Sequence, residues 1–105
     1  MDEIEELAGI FKALSDPTRL RLVKLLSECS PGACRGEALC VNALACELGV
    51  TQSAVSQHLR VLRQTGLVRG ERRGPFVHYS LDRGRLEQYR ARLLQTLGED
   101  FVVIK

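Results

Sequence analysis

The chain has 105 residues, of which 45% are hydrophobic and 5% aromatic, with no tryptophan; that length suits a single domain, 1–105, with a modest core of Leu, Val and Ala. A formal net charge of +2 is too small to argue for a polyanionic partner by itself. No apolar run is long enough to cross a bilayer and no signal-peptide pattern opens the chain, so a cytoplasmic protein without membrane contact is expected. The distribution of charge says more than its sum. Arg60, Arg63, Arg69, Arg72 and Arg73 cluster, while Asp2, Glu3, Glu5 and Glu6 crowd the N-terminus.

In chain order, Ile4, Leu7, Ala8, Phe11 and Leu14 recur at helical spacing over 2–14. Acidic residues in the first turn suit the dipole of that helix. Ser15-Asp16-Pro17 reads as a break and restart: Asp16 can cap a second helix and Pro17 fits its first position. Leu20, Leu22, Val23, Leu25 and Leu26 are apolar on more than one face, which predicts a central helix. Ser30-Pro31-Gly32 ends it, and 30–39 read as loop.

The segment Leu44–Leu67, LACELGVTQSAVSQHLRVLRQTGL, carries the functional argument. It predicts a short helix from Val41 to Leu48, a turn at Gly49, and a longer helix from Gln52 to Gln64 capped by Thr51. Ala45 is small where the two helices cross, and Val55, Leu59 and Leu62 form one apolar stripe. The opposite face carries Gln52, Ser53, Ser56, Gln57 and Arg60, side chains of the kind that read base edges and phosphates. His58 and Arg60 are expected to touch the backbone of a bound duplex. A polar face on a lone amphipathic helix is usually just solvated. Here it follows a helix-turn-helix turn and precedes a basic hairpin: Val68–Glu71 and Phe76–Leu81 alternate as strands, joined at Arg73-Gly74-Pro75 and bearing Arg72 and Arg73. The expected DNA-contacting set is Thr51, Gln52, Ser53, Ser56, Gln57, His58, Arg60, Arg72 and Arg73. Leu86, Tyr89, Leu93 and Leu97 form a narrow stripe on a last helix over 83–97, and the apolar tail 100–105 has no evident place. The fold class expected is mainly α with a small β-hairpin, a winged helix-turn-helix.

The runs ALSDPTRLRLVKLL, LCVNALACELGVTQSAVSQHLRVLRQTGLV and RRGPFVHYSL together resemble the ArsR/SmtB family of metal- and stress-responsive repressors, over about residues 7–97. The resemblance implies a homodimer on double-stranded, palindromic operator DNA, released by an inducer, with a dimer surface from the first and last helices. In this chain those helices are 2–14 and 83–97. Their leftover apolar stripes agree independently, since a stripe not used by the core calls for a partner. The opposing possibility is that both helices simply close the monomer core.

Cys29, Cys34, Cys40 and Cys46 are the soft-ligand set. No C-x2-C pair occurs, which excludes zinc-finger and thioredoxin-type spacings. Cys29 ends helix two, Cys34 lies in a Gly-bounded loop and Cys40 opens helix three. Closing loops of five or six residues is cheap, so Cys29, Cys34 and Cys40 can converge on a trigonal soft ion: arsenite or antimonite, cadmium, lead or mercury. Six residues beyond Cys40, Cys46 is rotated by about 120° and displaced by about 9 Å along a helix; it reads as a small residue near the core, with a thiol reaching elsewhere as the alternative. Relatives in this family often carry Cys-Val-Cys at the start of this helix, where this chain has Cys40-Val41-Asn42, and Asn42 is a poor soft-metal ligand. A second subgroup binds zinc on the last helix; the corresponding positions here are Arg83, Arg85, Thr96 and Glu99, which disfavours that site. Thiol oxidation or persulfide sensing is the alternative to a metal inducer. Outside repression, the competing classes are a winged helix used for protein contacts and an enzyme. The enzyme reading is weak, because His58 and His78 have no Cys or Asp partner at a recognisable catalytic spacing.

Overall fold

The computed structural model describes residues 2–28 and 39–98. The helices are α1 (Glu3–Leu14), α2 (Pro17–Glu28), α3 (Val41–Leu48), α4 (Gln52–Gln64) and α5 (Arg83–Leu97). The strands are β1 (Leu39–Cys40), β2 (Val68–Arg73) and β3 (Phe76–Leu81). All five expected helices are present, and the hairpin closes through Gly74-Pro75. Gly74 has φ +62° at the first central position, as a tight hairpin turn of matching twist requires. The first hairpin strand runs two residues further than its alternation predicts, because Arg72 and Arg73 pair with Val77 and Phe76.

Local chemistry sets the helix ends. The Asp2 carboxylate accepts from the Glu5 N–H at 2.8 Å and the Asp82 carboxylate from the Arg85 N–H at 2.9 Å. Asp16 Oδ1 accepts from both the Thr18 and Arg19 N–H groups, at 2.8 and 3.2 Å. Thr51 Oγ1 accepts from the Ala54 N–H at 3.1 Å. Each cap satisfies donors that a helix start otherwise leaves open. Gly49 closes α3 at φ +66°, a left-handed conformation that side-chain-bearing residues resist.

The core gathers Leu22 and Leu26 of α2, Leu44 and Ala45 of α3, Val55, Leu59 and Leu62 of α4, and Leu67, Val68, Leu81 and Tyr89 around the sheet and α5. The central position expected for α2 holds for Leu22 and Leu26, whereas Leu20 is exposed. On α1, Leu7, Ile10 and Ala13 face inward, while Ile4 and Phe11 stay 60% and 48% exposed. Helix α5 is tied to the rest by the Tyr89 hydroxyl, which donates to the Thr65 carbonyl at 2.8 Å, and by Arg92 on Glu6 at 2.8 Å.

Two readings of the sequence are corrected. Leu39 belongs to a strand rather than to a loop ending there: β1 pairs antiparallel with β3, Leu39 opposite Tyr79 and Cys40 opposite His78, giving a three-stranded sheet of order β1-β3-β2. A two-residue strand has too little alternation to be read locally; it exists because the edge of β3 offers unpaired backbone groups. Cys46, expected near the core, is exposed, because Leu44 and Ala45 occupy the inward positions of α3.

Two outcomes follow for stability. Leu59→Ala removes a side chain only 1% exposed and should cost about 2–5 kcal/mol in urea unfolding. The Asp16 carboxyl is held below its ordinary value of 3.8, chiefly by the Arg19 N–H, then by the Thr18 N–H and the neighbouring His58 and Arg19 charges, with partial burial opposing. Its cap therefore stabilises fully above that ordinary value and is lost as pH falls through the lower folded-state value. Asp16→Asn keeps a capping oxygen that does not titrate, so thermal melts recorded from about pH 5 downward should show a flatter acid limb than the unaltered chain.

Candidate nucleic-acid interface

The apolar stripe of α4 anchors its polar face. Val55, Leu59 and Leu62 are 0, 1 and 0% exposed, so the opposite side of the helix must face outward. Gln52, Ser53, Ser56, Gln57 and Arg60 are all exposed there. Thr51, at the N-cap, is exposed but has its hydroxyl engaged by the Ala54 N–H. The positive end of the α4 dipole and its first free N–H groups thus lie beside Gln52 and Ser53, a setting that suits an anion such as a phosphate.

His58 differs from the others. It is half-buried, and its Nδ1 lies 3.3 Å from Arg19 Nη1. Arg19 also donates through Nε to the Ala13 carbonyl. The ring therefore joins α4 to the junction of α1 and α2, where the Asp16 cap sits. Sequence spacing alone places His58 with the exposed row; the 39-residue separation from Arg19 hides the contact.

On the hairpin, Arg72 and Arg73 are exposed, and Arg73 Nε lies 3.6 Å from Glu71 Oε1. That pair is solvent-exposed on both sides and contributes little to stability. Gly70 leaves room for Tyr79 and Val77, whose side chains would approach an added Cβ to 3.1 Å. An open hollow of about 350 Å³ lies between the start of α3, the start of α4 and the wing, and Cys40, Asn42, Gln52, Phe76 and Tyr79 border it. Within it, Gln52 Nε2 donates to Asn42 Oδ1 at 2.9 Å. Sequence reasoning weighed Asn42 only as a metal ligand and missed this contact; the ten-residue span between two helices carries no periodic signal.

Of the sulfur set, Cys40 is half-buried at the N-cap of α3 and makes no side-chain capping bond. Cys29 and Cys34 lie outside the described residues, as do Glu99 and the tail 100–105. Among the described residues, no group of three His, Cys, Asp or Glu side chains is arranged to hold a metal ion. No helix among them is long and apolar enough to cross a membrane.

Residues 16–69, from the Asp16 cap to the start of the wing, match the family described as bacterial regulatory protein, arsR family. The chain is 42% identical to a transcriptional repressor SmtB homolog of Synechocystis, over 77% of this chain and 55% of that protein. It is 44% identical to the arsenical resistance operon repressor of Escherichia coli, over 69% of this chain and 56% of that one. The matched stretch thus spans about half the length of these two curated relatives. An ArsR-like transcriptional regulator from Rhodococcus shares the fold with a TM-score of 0.74 and 30% identity, covering 93% of this chain and 84% of that one. The chain therefore has a winged helix-turn-helix fold and belongs to the arsR family of bacterial regulatory proteins, a family of transcription regulators rather than enzymes.

Proposed function

We propose that this chain is a single-domain, DNA-binding transcriptional repressor that works in the cytoplasm as a homodimer and is released from its operator by a soft metal or metalloid. The observation that carries the DNA reading is the exposed row Gln52, Ser53, Ser56, Gln57 and Arg60 on a helix whose opposite face is fully buried. In this reading α4 enters the major groove. Gln52, Ser53, Ser56 and Gln57 address base edges, Thr51, His58 and Arg60 lie toward the sugar-phosphate strands, and Arg72 and Arg73 reach the flanking groove from the wing.

The dimer reading draws on apolar surface that the core leaves unused. Ile4 and Phe11 on α1 and Leu97 on α5 are 60, 48 and 49% exposed, and the Arg92–Glu6 contact holds these two helices side by side. A second copy covering this face would set two α4 helices against half-sites about 34 Å apart.

The inducer reading assigns Cys29, Cys34 and Cys40 as ligands of a trigonal soft ion: arsenite, antimonite, cadmium, lead or mercury. Two things support it: Cys29 and Cys34 precede Cys40 closely in the sequence, and the chain is similar to the arsenical resistance operon repressor. Cys40 is backbone-paired to the wing and precedes α3, the first half of the DNA-reading unit. A pull on it has a short route to α4, and a coupling of about 1–3 kcal/mol lowers operator affinity about 5–150-fold.

Fluorescence anisotropy on duplex DNA tests the first reading. The logarithm of affinity should fall steeply and linearly with that of salt concentration, and Arg72→Ala should reduce the slope by about 1. A flat salt dependence would favour a protein-contact module instead. For the inducer, replacement of Cys29, Cys34 and Cys40 by Ser should leave DNA binding intact and abolish release by arsenite or cadmium, read together with loss of thiolate charge-transfer absorbance. Release by peroxide alone, without metal, would identify an oxidation switch.

A further inference from the structure

We infer that Asn42 sets the base preference of Gln52, so that this pair selects adenine at one operator position. The inference rests on the DNA-binding reading above and names a positioning residue that does not itself need to touch DNA. A free glutamine amide is a poor selector. Its terminal torsion is broad and roughly two-fold, so oxygen and nitrogen exchange places easily.

Here the exchange is opposed. Gln52 Nε2 donates to Asn42 Oδ1 at 2.9 Å, and turning the Gln52 amide alone would set its oxygen against the Asn42 oxygen, so both amides must turn together to exchange. The backbones beneath both residues are held as well: Gln52 is the first residue of α4, directly after the Thr51 cap, and Asn42 is the second residue of α3. Both side chains are exposed, so neither is fixed by packing. The hydrogen bond between them orders the amide in the free protein.

With one N–H committed to Asn42, Gln52 still presents its carbonyl oxygen and a second N–H. Adenine offers the complementary pair in the major groove, an N6 donor beside the N7 acceptor. Guanine offers two acceptors, O6 and N7, and leaves the Gln52 oxygen facing another oxygen. Ordering the amide before contact lowers the entropy lost on binding. Asn42 thereby raises both affinity and discrimination, and it does so only through Gln52.

A double-mutant cycle separates this from a general structural role. The unaltered chain is used to select a preferred duplex from a randomised pool. Affinities for that duplex and its single base-pair variants are then measured for the unaltered chain, Asn42→Ala, Gln52→Ala and the double variant. Asn42→Ala should weaken binding about 2- to 10-fold, with the loss concentrated at one A·T position, and should change little once Gln52 is gone. In the free protein the same substitution should shift the Gln52 side-chain amide resonances while leaving the thermal midpoint unchanged. An Asn42→Ala loss of equal size with and without Gln52, an unchanged base preference, or unshifted Gln52 amide resonances would each overturn the role of Asn42 while leaving DNA binding in place. Absence of any duplex binding by the unaltered chain would overturn the DNA reading and this assignment together.

Discussion

Everything on the exposed face of α4 depends on how the helix is seated. Val55, Leu59 and Leu62 stand at i, i+4 and i+7 and are essentially without solvent contact. Each contributes roughly 1.5–3 kcal/mol by burial, as an upper estimate. Turning the helix about its axis would expose these three and drive Gln52, Ser56 and Gln57 toward Leu22, Leu26 and Leu44, where unpaired amides and hydroxyls are costly. One hydrophobic contact therefore fixes, by exclusion, which side chains of α4 face outward.

The short elements around α4 make that seat precise. Gly49 turns the chain in a left-handed conformation and the Thr51 hydroxyl closes the first turn of α4. Ala45 lets α3 approach closely. The third strand extends the same framework sideways, since the backbone of Cys40 is paired with that of His78 on the wing while the residue also stands at the N-cap position of α3. Two residues on, Asn42 holds the side chain of Gln52. The beginning of α3 is thus a junction with the wing on one side and the first residue of α4 on the other. Motion there reaches both the wing and α4 without crossing the core, the route the proposed inducer site at Cys40 requires.

The apolar surface tells a second story. A monomer core this small leaves Ile4, Phe11 and Leu97 outside, although the periodicity of α1 and α5 makes them look like ordinary core stripes. Leu7, Ile10 and Ala13 take the inward places on α1, and only Tyr89 of α5 is fully inside. Among the described residues, each of these helices carries more apolar surface than the core covers, a pattern that suits a partner.

The helix boundaries, the caps at Asp16 and Thr51, the turn at Gly49 and the division of α4 into buried and exposed faces were all legible in the amino-acid sequence. Each depends on residues within about one or two helical turns of one another, and such short-range preferences survive in most tertiary surroundings. The conformation of β1, the exposure of Cys46, the contact of His58 with Arg19 and the Asn42–Gln52 contact were decided only by the fold. They arise from groups brought together across different elements, where no spacing rule applies. A strand of two residues exists because a neighbour offers its edge, and a histidine on a polar face is half-buried beside an arginine 39 residues away.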